Sequence, residues 1–124
     1  MLFEATLPPD QLKRKLHDIV NAKRAALLAE PVAYDGRMYD ADPASILNLS
    51  AVVTSITAGI GPPEITWRDA TNHDVRLSAA AAVRLAKAVL DRNRAIYEAS
   101  FDIKTAISQA DDPSSVDIDS CWPH

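Results

Sequence analysis

The chain has 124 residues, 48% hydrophobic and 24% charged, which suits one globular domain with a modest core and excludes wholesale disorder. A formal charge of −4 argues against nucleic acid as the main partner, because phosphate binding depends on clustered Lys and Arg. No apolar run is long enough to span a bilayer, and Met1 to Leu7 lacks a signal pattern, so cytoplasmic synthesis without membrane contact is expected.

Pro8-Pro9-Asp10 reads as a helix start, with prolines suited to the first turn and an acidic residue complementing the helix dipole. The helix is expected to run to about Glu30, with Leu12, Leu16, Ile19, Val20 and Leu27 on one side. Of Lys13, Arg14, Lys15, Lys23 and Arg24, most flank that stripe, as on any amphipathic helix. Lys23 projects into it, either snorkelling to water or meeting a carboxylate across an interface. After Pro31, Val32 to Tyr39 predicts a β-hairpin: Asp35-Gly36 suits a type I′ turn, so Val32 faces Tyr39, Tyr34 faces Arg37, and both tyrosines share a face. Asp42 as cap and Pro43 at the first helical position open a helix to about Ala58, with Ile46, Leu49, Val53 and Ile56 as its seam. Gly59, Gly61 and Pro62-Pro63 stop it.

Glu64 to Arg68 and His73 to Leu77 predict two more short strands, with Ile65 and Trp67 on one face matched by Val75 and Leu77. Ser78 caps a last helix from Ala79 to about Ala110, roughly 48 Å long and free of Gly and Pro. Its apolar arc holds Ala82, Val83, Leu85, Ala86, Val89, Leu90, Ile96, Tyr97, Phe101, Ile103 and Ile107. Asn93, Ser100 and Lys104 interrupt that arc and are costly there unless paired. Two readings stay open. These residues contact the rest of the chain, or the stripe Ala82, Ala86, Val89, Asn93, Ile96, Ser100, Ile103, Ile107 is a heptad seam for self-association, with Asn93 fixing register. The second reading expects Asn93→Leu to change the oligomeric state.

The predicted fold class is α+β, two short hairpins or one small antiparallel sheet packed with three helices, the last one long. Residues 1–31 form an N-terminal helical segment and 32–124 a hairpin–helix–hairpin–long helix core with a short extension, all one domain.

No residue pattern announces catalysis, a metal or a cofactor. Gly36, Gly59 and Gly61 each fit a turn, which leaves no phosphate-cradling loop. His17, His73 and His124 are scattered and read as surface residues without metal-site spacing. His73, Asp74 and Asp69 form a conceivable acid–base group, but turn composition accounts for all three. Asp40 and Asp42 fall short of a calcium loop, because Asp42 is spoken for as a cap. Cys121 has no basic neighbour within two residues to activate it and reads as an inert thiol.

Tyr34-Asp35-Gly36-Arg37-Met38-Tyr39-Asp40-Ala41-Asp42-Pro43, the Ile46 to Ala58 helix and Ile65-Thr66-Trp67-Arg68-Asp69-Ala70-Thr71-Asn72 together resemble a domain family of unassigned function carried by bacteriophages and prophages. The resemblance spans about Ala22 to Trp122 and includes the closing Asp117-Ile118 and Trp122-Pro123. It implies a non-catalytic structural or adaptor role in a phage tail fibre or baseplate, or tail-fibre assembly as a chaperone; a small metal-binding or enzymatic accessory protein is the remaining alternative. The implied partners are other tail proteins and further copies of the chain, with no nucleic acid, membrane or cofactor, and the implied location is the virion tail after synthesis in the host cytoplasm. The residues expected at such contacts are Lys23, Tyr34, Tyr39, Val89, Asn93, Ile96, Ser100, Ile103, Lys104, Ile107 and Trp122.

Overall fold

The computed structural model describes residues 7–123. Among them the chain is α+β: three helices, the last one long, and two separate antiparallel sheets of two strands each. In chain order these are α1 (Pro9–Leu28), β1 (Val32–Tyr34), β2 (Arg37–Tyr39), α2 (Pro43–Thr57), β3 (Glu64–Arg68), β4 (Asp74–Ser78) and α3 (Ala79–Gln109), then a 3-10 turn at Pro113–Ser115. Two compact units emerge. One gathers the described parts of Met1–Leu27 and Arg94–His124, and the other is Leu28–Asn93.

Within Leu28–Asn93, both hairpins pair as their turns dictate. Asp35 (φ 49°) and Gly36 (φ 78°) supply the two positive-φ residues of the first turn, which sets Val32 opposite Tyr39 and Tyr34 opposite Arg37. The Tyr34 and Tyr39 rings sit 6.4 Å apart on one face. In the second hairpin Ile65 opposes Leu77 and Trp67 opposes Val75. β4 starts at Asp74, one residue later than the alternation suggests, because the His73 amide is drawn out of the ladder to the Asp69 carboxylate.

The core of this unit is Val32, Tyr39, Ala41, Leu49, Leu77, Leu85 and Val89, with Ile65, Trp67 and Val75 half-buried against it. α2 contributes one fully buried residue, Leu49, while Ile46, Val53 and Ile56 are half-buried. Pro43 sits in its first turn, but the Asp42 side chain makes no cap bond to a backbone amide; its carboxylate accepts the Ser45 hydroxyl instead. The helix ends in a Schellman turn: Gly59 (φ 77°) donates to Ile56 O and Ile60 donates to Ser55 O. Ser78 Oγ accepts from the Ala81 amide at 3.1 Å and starts α3 as a cap should.

The other unit pairs α1 with the C-terminal half of α3. Lys13 Nζ donates to Ser108 O (2.8 Å) and Arg24 Nη1 to Ser100 Oγ (3.3 Å), so the two segments run antiparallel. Leu12, Leu16 and Val20 are buried on one side, and Ile96, Ser100, Ile103 and Ile107 on the other. Trp122 is buried too, and its indole N–H donates to Ile118 O at 2.9 Å.

Candidate functional site

The densest polar arrangement in Leu28–Asn93 surrounds Asp69, whose carboxylate is only 5% exposed. Asp69 Oδ1 accepts from the Thr71 amide (3.0 Å), the Thr71 hydroxyl (2.8 Å) and the His73 amide (2.9 Å), and Oδ2 accepts from Arg37 Nη1 (2.9 Å). The His73 amide, then the Thr71 hydroxyl and the Arg37 guanidinium, hold this carboxyl well below the usual range against the opposing effect of burial. A second link joins the same segments: the Ala70 amide donates to Met38 O at 2.8 Å. The β3–β4 turn is therefore bound to the first hairpin by one ion pair and one backbone bond.

The protonation pattern here is not that of a nucleophile and its base. Thr71 Oγ1 gives its proton to Asp69, so at the 2.8 Å contact with His73 Nδ1 the ring must donate. A hydroxyl committed to a carboxylate and facing a protonated ring nitrogen is not activated for attack. Among the described residues no group of three or more His, Cys, Asp or Glu is placed to hold a metal ion, and no helix is long and apolar enough to cross a membrane.

Beside Asp69 opens a cavity of about 270 Å³ lined by Asp40, Ser45, Asn48, Trp67, Arg68, Asp69 and Asn72. β3 brings Trp67 and Arg68, the turn after it brings Asp69 and Asn72, and Ser45 and Asn48 come from the first two turns of α2. Asn72 is held at φ 65°, and its amide donates to Asp69 O at 3.0 Å. Asp40, Asn48 and Asn72 make no side-chain hydrogen bond to any described residue. Arg68 is tied to Asp74 at 3.1 Å.

A model of a family described only as a domain of unknown function, DUF4376, matches residues 11–120. The chain belongs to this family. No curated protein and no solved structure matches it. In this DUF4376 chain the cavity is built from Asp40 after the first hairpin, Ser45 and Asn48 of α2, and the Trp67 to Asn72 segment.

The residues expected at contacts fall elsewhere, and most serve the chain's own packing. Tyr39, Val89, Ile96, Ser100, Ile103, Ile107 and Trp122 are buried; Lys23, Tyr34, Asn93 and Lys104 are half-buried. Lys23 Nζ pairs with Asp119 at 2.7 Å, Ser100 Oγ donates to Tyr97 O, and Asn93 Oδ1 accepts from Arg92 Nε at 2.9 Å. Of the apolar arc on α3, Leu90 (58% exposed), Phe101 (54%), Tyr97 and Val83 remain outside. His73 is exposed and His17 half-buried, with Nε2 3.3 Å from Ser108 Oγ; His124 lies outside the described residues.

Sequence reasoning missed Arg37, Asn48 and Arg92. Arg92 donates to Glu30 O (2.8 Å) and Leu28 O (3.3 Å), and burial lowers its pKa. An arginine on a helix flank carries no sign of a backbone target some sixty positions away. Asn48 could have been found, because it sits one turn past Asp42-Pro43 on a helix whose apolar residues do not need it.

Proposed function

We propose that this chain is a non-catalytic contact protein of a bacteriophage tail, in the fibre or baseplate, which associates with other tail proteins and with its own copies. One observation carries the contact reading. Arg37 and Asp69 are spent on holding two hairpins together, while Leu47 (70% exposed), Ile60 (81%) and Leu90 stand in solvent. Large apolar side chains left outside a satisfied polar scaffold favour binding over chemistry. The placement in a tail is supported by the resemblance of the hairpin, the Asp40-Ala41-Asp42-Pro43 step and the Thr66 to Asn72 segment to phage-borne domains.

The interface is expected at these exposed residues rather than along the buried α3 seam. Mass spectrometry of washed phage particles should detect the chain at stoichiometric level. Its absence from particles, with complexes recovered only from lysates before assembly, would replace the structural reading with that of an assembly chaperone. Light scattering on the isolated protein should give a mass above that of one chain; a monomer at all concentrations would remove self-association from the proposal.

A further inference from the structure

We infer that the cavity beside Trp67 binds one neutral saccharide residue, a site beyond the contact role proposed above. Its volume of about 270 Å³ lies just below the lower end of small-molecule pockets, near 300 Å³, which fits a single sugar ring rather than a larger ligand. The lining chemistry decides the class. Asp40 can only accept hydrogen bonds, Arg68, already paired with Asp74, can only donate, and the Asn48 and Asn72 amides do both. An anion would meet the Asp40 carboxylate, and a cation would meet the Arg68 guanidinium. Neutral hydroxyls suit the acceptor and the donors together, since each donates once and accepts from others.

Trp67 supplies the apolar part. Its indole is half-buried against the core and fixed in the ladder opposite Val75, so the portion at the cavity is a rigid surface for the C–H face of a pyranose ring. The polar groups are similarly placed on rigid supports, Asn48 within α2 and Asn72 by its turn. The side chains of Asp40, Asn48 and Asn72 have no hydrogen bond to a described residue to surrender, so a ligand replaces only their water. An open site for one ring implies millimolar affinity, raised when several copies bind together.

The test uses the indole N–H resonances of the full chain in a two-dimensional NMR titration with glucose, galactose, mannose, rhamnose, N-acetylglucosamine and N-acetylgalactosamine. The Trp67 resonance should move saturably with at least one of these sugars. The Trp122 resonance, held by Ile118 O, should stay in place. Asn48→Ala, an exposed helix position, and Asp40→Asn should each weaken that binding about tenfold while the rest of the spectrum stays dispersed. Absence of a saturable Trp67 response to every sugar would overturn the proposal. So would a response to free arginine or sulfate in place of sugar, or undiminished binding by both variants.

Discussion

Asp69 is a carboxylate almost sealed from water and surrounded by donors, so its charge and the hairpin contact stand or fall together. Asp69→Asn turns one acceptor into a donor that faces N–H and guanidinium groups, and unmatched donors at a buried site are costly. Its thermal unfolding midpoint should fall by several degrees. Asp74→Asn breaks the exposed pair with Arg68 and should change stability by about 0.5 kcal/mol or less. Equal effects of the two substitutions in calorimetry would show that the burial of Asp69 does not matter. The pH dependence has a fixed sign. The folded-state pKa of Asp69 is depressed, so its stabilisation is complete above the unfolded carboxylate value near 4 and drains away as pH falls through the folded value. Asp42, held down by the Ser45 hydroxyl, and Asp117, held down by Ser120, add to the same acid limb. Denaturant titrations from neutral pH downward should show the wild type losing stability below about pH 4, with a shallower slope in Asp69→Asn. The sequence marks Asp69 only as a turn residue beside His73 and Asp74; its tie to the first hairpin comes from Arg37, thirty-two positions away.

At the scale of elements the sequence was far more informative, because turns and caps are local chemistry. Asp35-Gly36 specified not only a hairpin but its register, and Gly59 the helix stop, since both rest on backbone angles that few residues adopt. Gly36→Ala and Gly59→Ala should each cost about 1–2 kcal/mol in chemical denaturation, although a Cβ at either position meets no neighbouring atom within 4 Å. A smaller loss would mean that the turn relaxes. The apolar stripe of α3 was legible as well, but not its partner. Periodicity shows that Ile96, Ser100, Ile103 and Ile107 share a face; it cannot say whether another molecule or α1 covers it. Ser100 shows why the polar interruption is tolerable: it accepts from Arg24 and donates to Tyr97 O, so it is satisfied without a second copy. Asp42 taught the converse. A good cap residue followed by Pro43 was expected to bond a backbone amide, and the nearby Ser45 hydroxyl competed for it.

Across the whole molecule, the division of the chain follows contacts that sequence order conceals. The described parts of Met1–Leu27 and Arg94–His124 group together, although most of the chain lies between them. A linear reading lists the first helix ahead of residues 32–124 within one domain; the bonds from Lys13 to Ser108 and from Lys23 to Asp119 are not visible in it. Leu47 and Ile60, which lie outside the apolar seam of α2, are exposed. Leu47→Ser and Ile60→Ser together should leave the unfolding midpoint nearly unchanged yet reduce association measured by light scattering. A large loss of stability, or an unaltered mass in an oligomeric protein, would argue that these side chains are not contact residues.

The bond from Ala70 to Met38 sets a clock on the parting of the two hairpins. Ala70 lies in a turn, where amides normally trade hydrogen for deuterium within moments, yet its N–H is engaged by a different hairpin. It can exchange only when that engagement opens. Slow deuterium uptake at this one loop amide, accelerated by Asp69→Asn, would time the separation directly.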